Sequence, residues 1–172
     1  MDSQSPFPLE QALLGFLMQE PAHGYALHQR AEEELGRIWY IGISNVYGTL
    51  KDLEETGEVA SSRDEASYPP RKVYRITEAG RERFVAWVRE PVAAVRDQRV
   101  ELLAKIYFFY ALKLEGLETL LEAQEALCRE RLHHIEQRAS EEPQDAFGKA
   151  VSDFRRLRIQ ATIDWLRTVE RG

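Results

Sequence analysis

The chain lacks several features that would have pointed elsewhere. It has one cysteine, Cys128, which excludes an internal disulfide framework and a multi-cysteine zinc site and suits a reducing compartment. No apolar run approaches the roughly 20 residues that a membrane-spanning helix needs. The opening MDSQSPFPLEQ has neither the basic start nor the apolar stretch of a signal peptide. These absences predict a soluble, cytoplasmic protein with no membrane partner. Positive charge is also short: 23 Lys and Arg against 29 Asp and Glu leave a net charge of −6. Phosphate binding works through Lys and Arg displacing counterions, so the total argues weakly against nucleic acid. Catalytic constellations are missing as well. No Gly-rich phosphate loop or Ser-His-Asp arrangement can be identified, and no pair of acidic residues stands out. His23 and His28 lie either side of a Gly that starts a helix, so a turn histidine and a surface histidine are expected. His133 and His134 diverge by about 100° on a helix, poor geometry for one metal. Cys128, beside Leu127, reads as a small packed residue rather than a nucleophile, although Arg129 and Arg131 supply a basic setting. No enzyme, cofactor or metal is expected.

What the chain does have is amphipathic periodicity. Its 172 residues, 44% hydrophobic and 30% charged, are globular in composition. Leu9, Ala12, Leu13, Phe16 and Leu17 recur at helical spacing and predict a first helix, broken by Pro21 and Gly24. A second is expected from Tyr25 to Leu35, with Leu27, Ala31 and Leu35 on one face and Gly36 as cap. Ser44 reads as the N-cap of a third, ending near Gly57. The period then changes. Val59 to Arg63 and Arg71 to Thr77 read as β-strands either side of a polar loop with Pro69 and Pro70. In the second strand Tyr74 and Ile76 share one face, and Arg71, Val73 and Arg75 the other. Thr77 caps a fourth helix, Glu78 to about Glu90, striped by Phe84, Trp87 and Val88 and ended by Pro91.

From Val92 onward only helices are predicted: Asp97 to Leu112, Leu117 to about Arg138, a break over Ser140 to Gln144, and Asp145 to Val169. The fold class is mainly α, with an all-helical C-terminal region. Its apolar stripes exceed what a short bundle can hide, so a second copy of the chain is the expected cover.

The order helix, helix, helix, hairpin, helix is that of a winged helix-turn-helix, whose third helix enters the major groove while the hairpin straddles a phosphate strand. Val46, Leu50 and Leu53 define the buried face of that helix. Ser44, Asn45, Gly48 and Lys51 point the other way, with Tyr47 on the flank. Asn reads adenine, Lys reaches guanine or phosphate, and Tyr bonds a phosphate or packs on a thymine methyl. Gly48 allows close approach to the groove floor. The same pattern also fits an ordinary solvent-exposed helix face. Locally, Arg63, Arg71, Lys72, Arg75, Arg81 and Arg83 exceed Asp64, Glu65, Glu78 and Glu82 across residues 61 to 83.

Three segments, His23-Gly24-Tyr25-Ala26-Leu27, Ser44 through Glu54 and Arg71 through Arg81, resemble in order and spacing the PadR family of bacterial transcriptional regulators. Glu90-Pro91, Arg96-Asp97, Leu102-Leu103-Ala104-Lys105 and the closing Ile163-Asp164-Trp165-Leu166 extend the resemblance over nearly the whole chain. It implies DNA binding through residues 1–90 and dimerisation through residues 91–172, in a cytoplasmic homodimeric repressor acting on an inverted-repeat operator in double-stranded DNA. It also implies that Tyr25, Tyr47, Thr49 and Lys51 meet DNA from the helices, and Arg71 and Lys72 from the wing. The helical wheel instead places Thr49 nearer the buried side. Two departures stand out: Gly48 where relatives often have Pro, and Asp52 where they commonly have Lys or Arg. Asp52 and the net negative charge leave an alternative function, a winged-helix interaction module that no longer binds DNA.

Phe154, Leu157, Ile163 and Trp165 are the expected dimerisation residues, because they offer large apolar area on the last helix. Tyr107, Phe108, Phe109 and Tyr110 are consecutive and point all round their helix, and Trp39, Trp87 and Trp165 add further rings. With the resemblance, these imply a small aromatic effector that lowers DNA affinity; the alternative is that the rings pack the dimer.

Overall fold

A computed structural model describes residues 8–64, 71–141 and 145–170. The expected Pro69-Pro70 loop and most of the break before Gln144 fall outside the described residues. The chain forms two compact units, residues 1–90 with 96–115, and residues 91–95 with 116–172.

The first unit begins with α1 (Leu9–Gln19). It was expected to be amphipathic, but residues 12–17 are buried on every side. Ala22–His23 (β1) is a short strand with no periodic signature, and α2 (Gly24–Leu35) follows it directly. Gly36 caps α2 in right-handed rather than left-handed geometry, its N–H donating to the Glu32 carbonyl at 3.1 Å. Helix α3 (Ile43–Glu55) starts two residues earlier than expected: Gly42 is its N-cap, and Ser44 lies in the first turn. Gly57, at φ 77°, closes it. The Glu58 N–H reaches back to the Leu53 carbonyl at 2.9 Å, a termination that needs a left-handed residue. Strands β2 (Val59–Asp64) and β3 (Arg71–Ile76) are antiparallel, with Ser61 opposite Tyr74 and Asp64 opposite Arg71. β3 is central in the sheet order β1-β3-β2, pairing Ala22 with Tyr74. Tyr74 and Ile76 are buried and Arg71 and Arg75 exposed, as the alternation predicts. The Thr77 hydroxyl caps α4 (Glu78–Arg89) by accepting from the Gly80 N–H at 3.3 Å.

From Arg96 on, the next helical stretch belongs with this unit. Val95–Asp97 (α5) leads into a π-helical turn at Gln98–Leu102 and then α6 (Leu103–Ala111). Phe108 explains the association. It meets Phe16 and Phe84 edge-to-face, each with ring centroids 5.3 Å apart, the arrangement favoured by the ring quadrupole. Gly15 makes room, since a Cβ there would lie 2.6 Å from the Phe108 Cζ and 2.7 Å from the Phe84 Cε2. Lys105 is buried beside this aromatic core. It is held by the Glu101 carboxylate at 2.9 Å and the Glu90 carbonyl at 2.6 Å, over the Trp87 ring. The compact units therefore do not divide at residue 90 alone.

The second unit is built on α7 (Leu117–Glu141) and α8 (Ala146–Leu166), the latter capped by Asp145. α7 runs through Ser140, where a break was expected, and α8 stops short of Val169. Cys128 packs with Ile159 and Ile163, flanked by Leu132 and Ile135. Leu127 is only partly covered, while Gln124 and Cys128 are buried. The Gln124 amide accepts from the Val92 N–H at 2.6 Å and donates to the Val92 carbonyl at 3.2 Å. Among the described residues no helix is long and apolar enough to cross a membrane.

Candidate nucleic-acid interface

Helix α3 has the two faces expected of it. Val46, Leu50 and Leu53 are buried, whereas Ser44, Asn45, Tyr47, Gly48, Lys51 and Asp52 are exposed. Thr49 is half-buried, toward the side where the helical wheel places it. A Cβ on Gly48 would meet nothing within 4 Å, so its missing side chain leaves open space on the outer face.

Two tyrosines flank this face. Tyr25 at the start of α2 is 52% exposed and Tyr47 46%. With His23, Arg71, Lys72 and Tyr74 they line a cleft of about 510 Å³ where α2, α3 and the hairpin meet. Gly24 permits the approach, because a Cβ there would lie 2.6 Å from the Tyr47 ring. The His23 Nδ1–H donates to the Lys72 carbonyl at 3.0 Å, tying the turn before α2 to the wing. His28, expected at the surface, instead donates from Nε2 to the Ile41 carbonyl and fixes the loop before α3.

The basic residues differ in how committed they already are. Lys72 Nζ lies 2.6 Å from Glu54 Oε2, whose other oxygen accepts from the Ser61 hydroxyl at 2.5 Å. The hydrogen bond from Lys72 holds the Glu54 carboxyl below its ordinary value, and the same bond holds the Lys72 ammonium above its own. Lys51 is far more exposed, with Glu55 at 3.5 Å one turn on. Arg71 and Arg75 project from the opposite face of β3 to the buried Tyr74 and Ile76. The face thus offers polar groups suited to base edges, two tyrosines and a wing of mixed cations, with Lys72 partly neutralised. Glu54, His23 and Tyr74 are the participants that sequence reasoning missed. The β1 pairing that places His23 involves two residues and leaves no periodic trace, and the partner of Glu54 lies 18 residues away.

The dimerisation residues are placed unevenly. Phe154 is 60% exposed, Leu157 57% and Trp165 36%. Ile163, at 2%, is already covered within its own chain and so is not part of that exposed face.

The transcriptional regulator PadR-like family matches residues 13–86, from α1 into α4. A second family, virulence activator alpha C-terminal, matches residues 98–171. The probable transcriptional regulator Rv1176c of Mycobacterium tuberculosis is 27% identical over 179 residues, covering 94% of this chain and 95% of that protein. The negative transcriptional regulator PadR of Bacillus subtilis is 26% identical over 117 residues, covering 67% and 64% respectively. A crystal structure of Bacillus subtilis PadR in complex with operator DNA is similar at 25% identity, 97% coverage of both chains and a TM-score of 0.47. Residues 13–86, which form the winged helix-turn-helix, are thus a PadR-like family domain, with helices continuing beyond it, and the matched family and relatives are transcriptional regulators.

Proposed function

We propose that the chain is a homodimeric, sequence-specific repressor that binds double-stranded DNA with residues 1–90 and dimerises through residues 91–172. The observation that carries this is the exposed α3 face, with Ser44, Asn45, Tyr47, Gly48 and Lys51 outward over a buried Val46, Leu50 and Leu53. Asn45 and Lys51 read bases, while Tyr25, Tyr47, Arg71 and Lys72 take phosphates. Thr49 acts at the edge of the contact. The negative regulator among its relatives supports repression. Two-fold symmetry calls for an inverted-repeat operator with half-sites about 10 base pairs, or a multiple, apart.

The test is an anisotropy titration against the DNA upstream of the protein's own gene at several salt concentrations. Arg71→Ala should weaken binding to all sequences alike and flatten the salt slope by about one contact's worth. Asn45→Ala should instead relax specificity. Lys72→Ala should have only a modest effect, because Glu54 already holds that ammonium. Equal affinity for operator and random DNA would overturn sequence-specific reading. Truncation after Arg138 should yield monomer or aggregate with DNA binding largely lost.

One set of observations favours the second reading, an interaction module without DNA binding. Lys72 is paired with Glu54, Lys51 stands near Glu55, and Asp52 is exposed on the same helix. Absence of binding even at low salt, unchanged in Asp52→Lys, would establish it. A small aromatic effector completes the proposal under one constraint. Phe108 and Phe109 are buried and Tyr107 is half-buried, so such a ligand must use other rings than that filled core. Tryptophan fluorescence against a panel of phenolic acids and planar cations, with and without operator, tests it.

A further inference from the structure

The second unit holds a concentration of positive charge that the DNA-binding reading does not use. A cleft of about 370 Å³ lies along α7 and α8. Arg131 and Arg138 line it from α7, Arg155 and Arg158 from α8, and among the described residues no Asp or Glu does. The spacing explains the convergence. Arg131, Ile135 and Arg138 recur at i, i+4 and i+7, and Arg155, Arg158 and Ile159 at i, i+3 and i+4, so each set occupies one face of its helix.

Other arginines on these helices are neutralised. Arg129 and Arg167 share the Glu125 carboxylate at 2.7 and 2.9 Å, and hold it below its ordinary value. Arg156 stands 3.8 Å from Asp153. The cleft arginines have no such carboxylate among the described residues. Arg158 instead lies over the Phe154 ring at 5.5 Å, with the Val95 carbonyl at 3.5 Å. In a chain where acidic residues outnumber basic ones 29 to 23, four unneutralised guanidinium groups around one cleft are a local reversal. An anion would relieve their mutual repulsion.

The lining narrows the kind of anion. Guanidinium groups present a planar fork that matches carboxylate and phosphate oxygens, and four together suit more than one negative charge. Ser152 adds a hydroxyl, while Val95, Ile135 and Ile159 supply an apolar wall. The volume is in the range of small-molecule sites. We propose that this cleft binds a small multivalent oxyanion carried on an apolar skeleton, an organic phosphate or a polycarboxylate. This does not depend on the DNA-binding reading.

Isothermal titration calorimetry on the full chain at low ionic strength tests it, with phenyl phosphate, isophthalate and inorganic phosphate as probes. Phenyl phosphate or isophthalate should bind saturably at one per chain and more tightly than inorganic phosphate; the tighter of the two identifies the anionic group. Arg138→Gln with Arg155→Gln should weaken that binding by about tenfold or more, as expected for lost charge-assisted hydrogen bonds. Arg129→Gln with Arg156→Gln removes the same charge elsewhere on the two helices and should leave it unchanged. Either single cleft variant gives the same reading should the double variant fail to fold. No saturable binding of either organic probe would overturn the proposal. So would equal weakening by the two double variants, which marks diffuse attraction rather than a site.

Discussion

The two compact units differ in what they leave at their surfaces. Among the described residues, the large exposed side chains of the first are Tyr25, Tyr40, Tyr47, Tyr110 and Ile43; those of the second are Phe147, Phe154, Leu157 and Trp165. A tyrosine at the surface keeps its hydroxyl in water or on a polar partner, whereas Phe and Leu gain only when another apolar surface covers them. The interiors differ in the same sense. The first unit closes on an aromatic cluster of Phe16, Phe84 and Phe108. The second closes on Cys128, Ile159 and Ile163, with the amide of Gln124 buried. One unit has completed its core and presents polar rings outward; the other keeps apolar area in reserve.

The comparison breaks most readily at Phe108. Phe108→Ala removes the ring that joins α1, α4 and α6 and should destabilise the protein by about 3–5 kcal/mol, measured by urea unfolding. A loss no larger than a surface substitution gives would mean the aromatic cluster is not the core of that unit. Next in size is Gln124→Leu, which removes both side-chain hydrogen bonds to the Val92 backbone. It should cost about 1–3 kcal/mol, with loss of hydrogen-exchange protection concentrated in residues 91–95 and α7.

Much of the first unit was legible because its signals are local. Val46, Leu50 and Leu53 mark the inner side of α3 by spacing alone, and Thr77 announces the start of α4. What escaped depends on tertiary partners. The π-helical turn at Gln98–Leu102 preserves an apolar pattern that reads as plain α-helix. Ser44 has good capping chemistry, yet the helix is capped two residues earlier, at Gly42. In the second unit, periodicity identified apolar faces without saying whether this chain or another covers them. Ile163 and Leu157 both suit such a face, but Cys128 and Ile159 already bury Ile163 while Leu157 remains 57% exposed. At the candidate DNA face, spacing sorted the α3 side chains correctly but gave no hint that Glu54 would engage Lys72.

A smaller effect sharpens the account of the first unit's margin. Burial pushes the Tyr107 phenol up to about 12 from an ordinary 10.0. The neutral form is favoured in the folded chain, so its contribution is fully present below pH 10.0 and is lost as pH rises through about 12. An ultraviolet titration should show late-titrating tyrosine, part of it absent in Tyr107→Phe and the rest from Tyr74, whose phenol burial also raises. That variant should also lose part of the alkaline decline in stability. If all tyrosines titrate together in the wild type, Tyr107 is more open to water than its place beside Phe16 and Phe108 implies.

The smallest expected change in stability tests the other side of the comparison. Phe154→Ser with Leu157→Ser alters two side chains that are 60% and 57% exposed on a single chain. Without a covering surface, each should shift folding stability by no more than about 0.5 kcal/mol, the usual range for exposed positions. If α8 is where two copies meet, the same pair should move the protein from dimer to monomer in sedimentation, because burial of exposed apolar area is what drives such association. Apparent stability should then become independent of protein concentration, as it must once folding is uncoupled from association. Ile163→Ser provides the contrast. Being 2% exposed and packed on Cys128 and Ile159, it should reduce stability directly, through loss of the protomer's own core. A double variant that remains a dimer would show that the exposed face of α8 is not the interface, and its apolar side chains would then need a different partner.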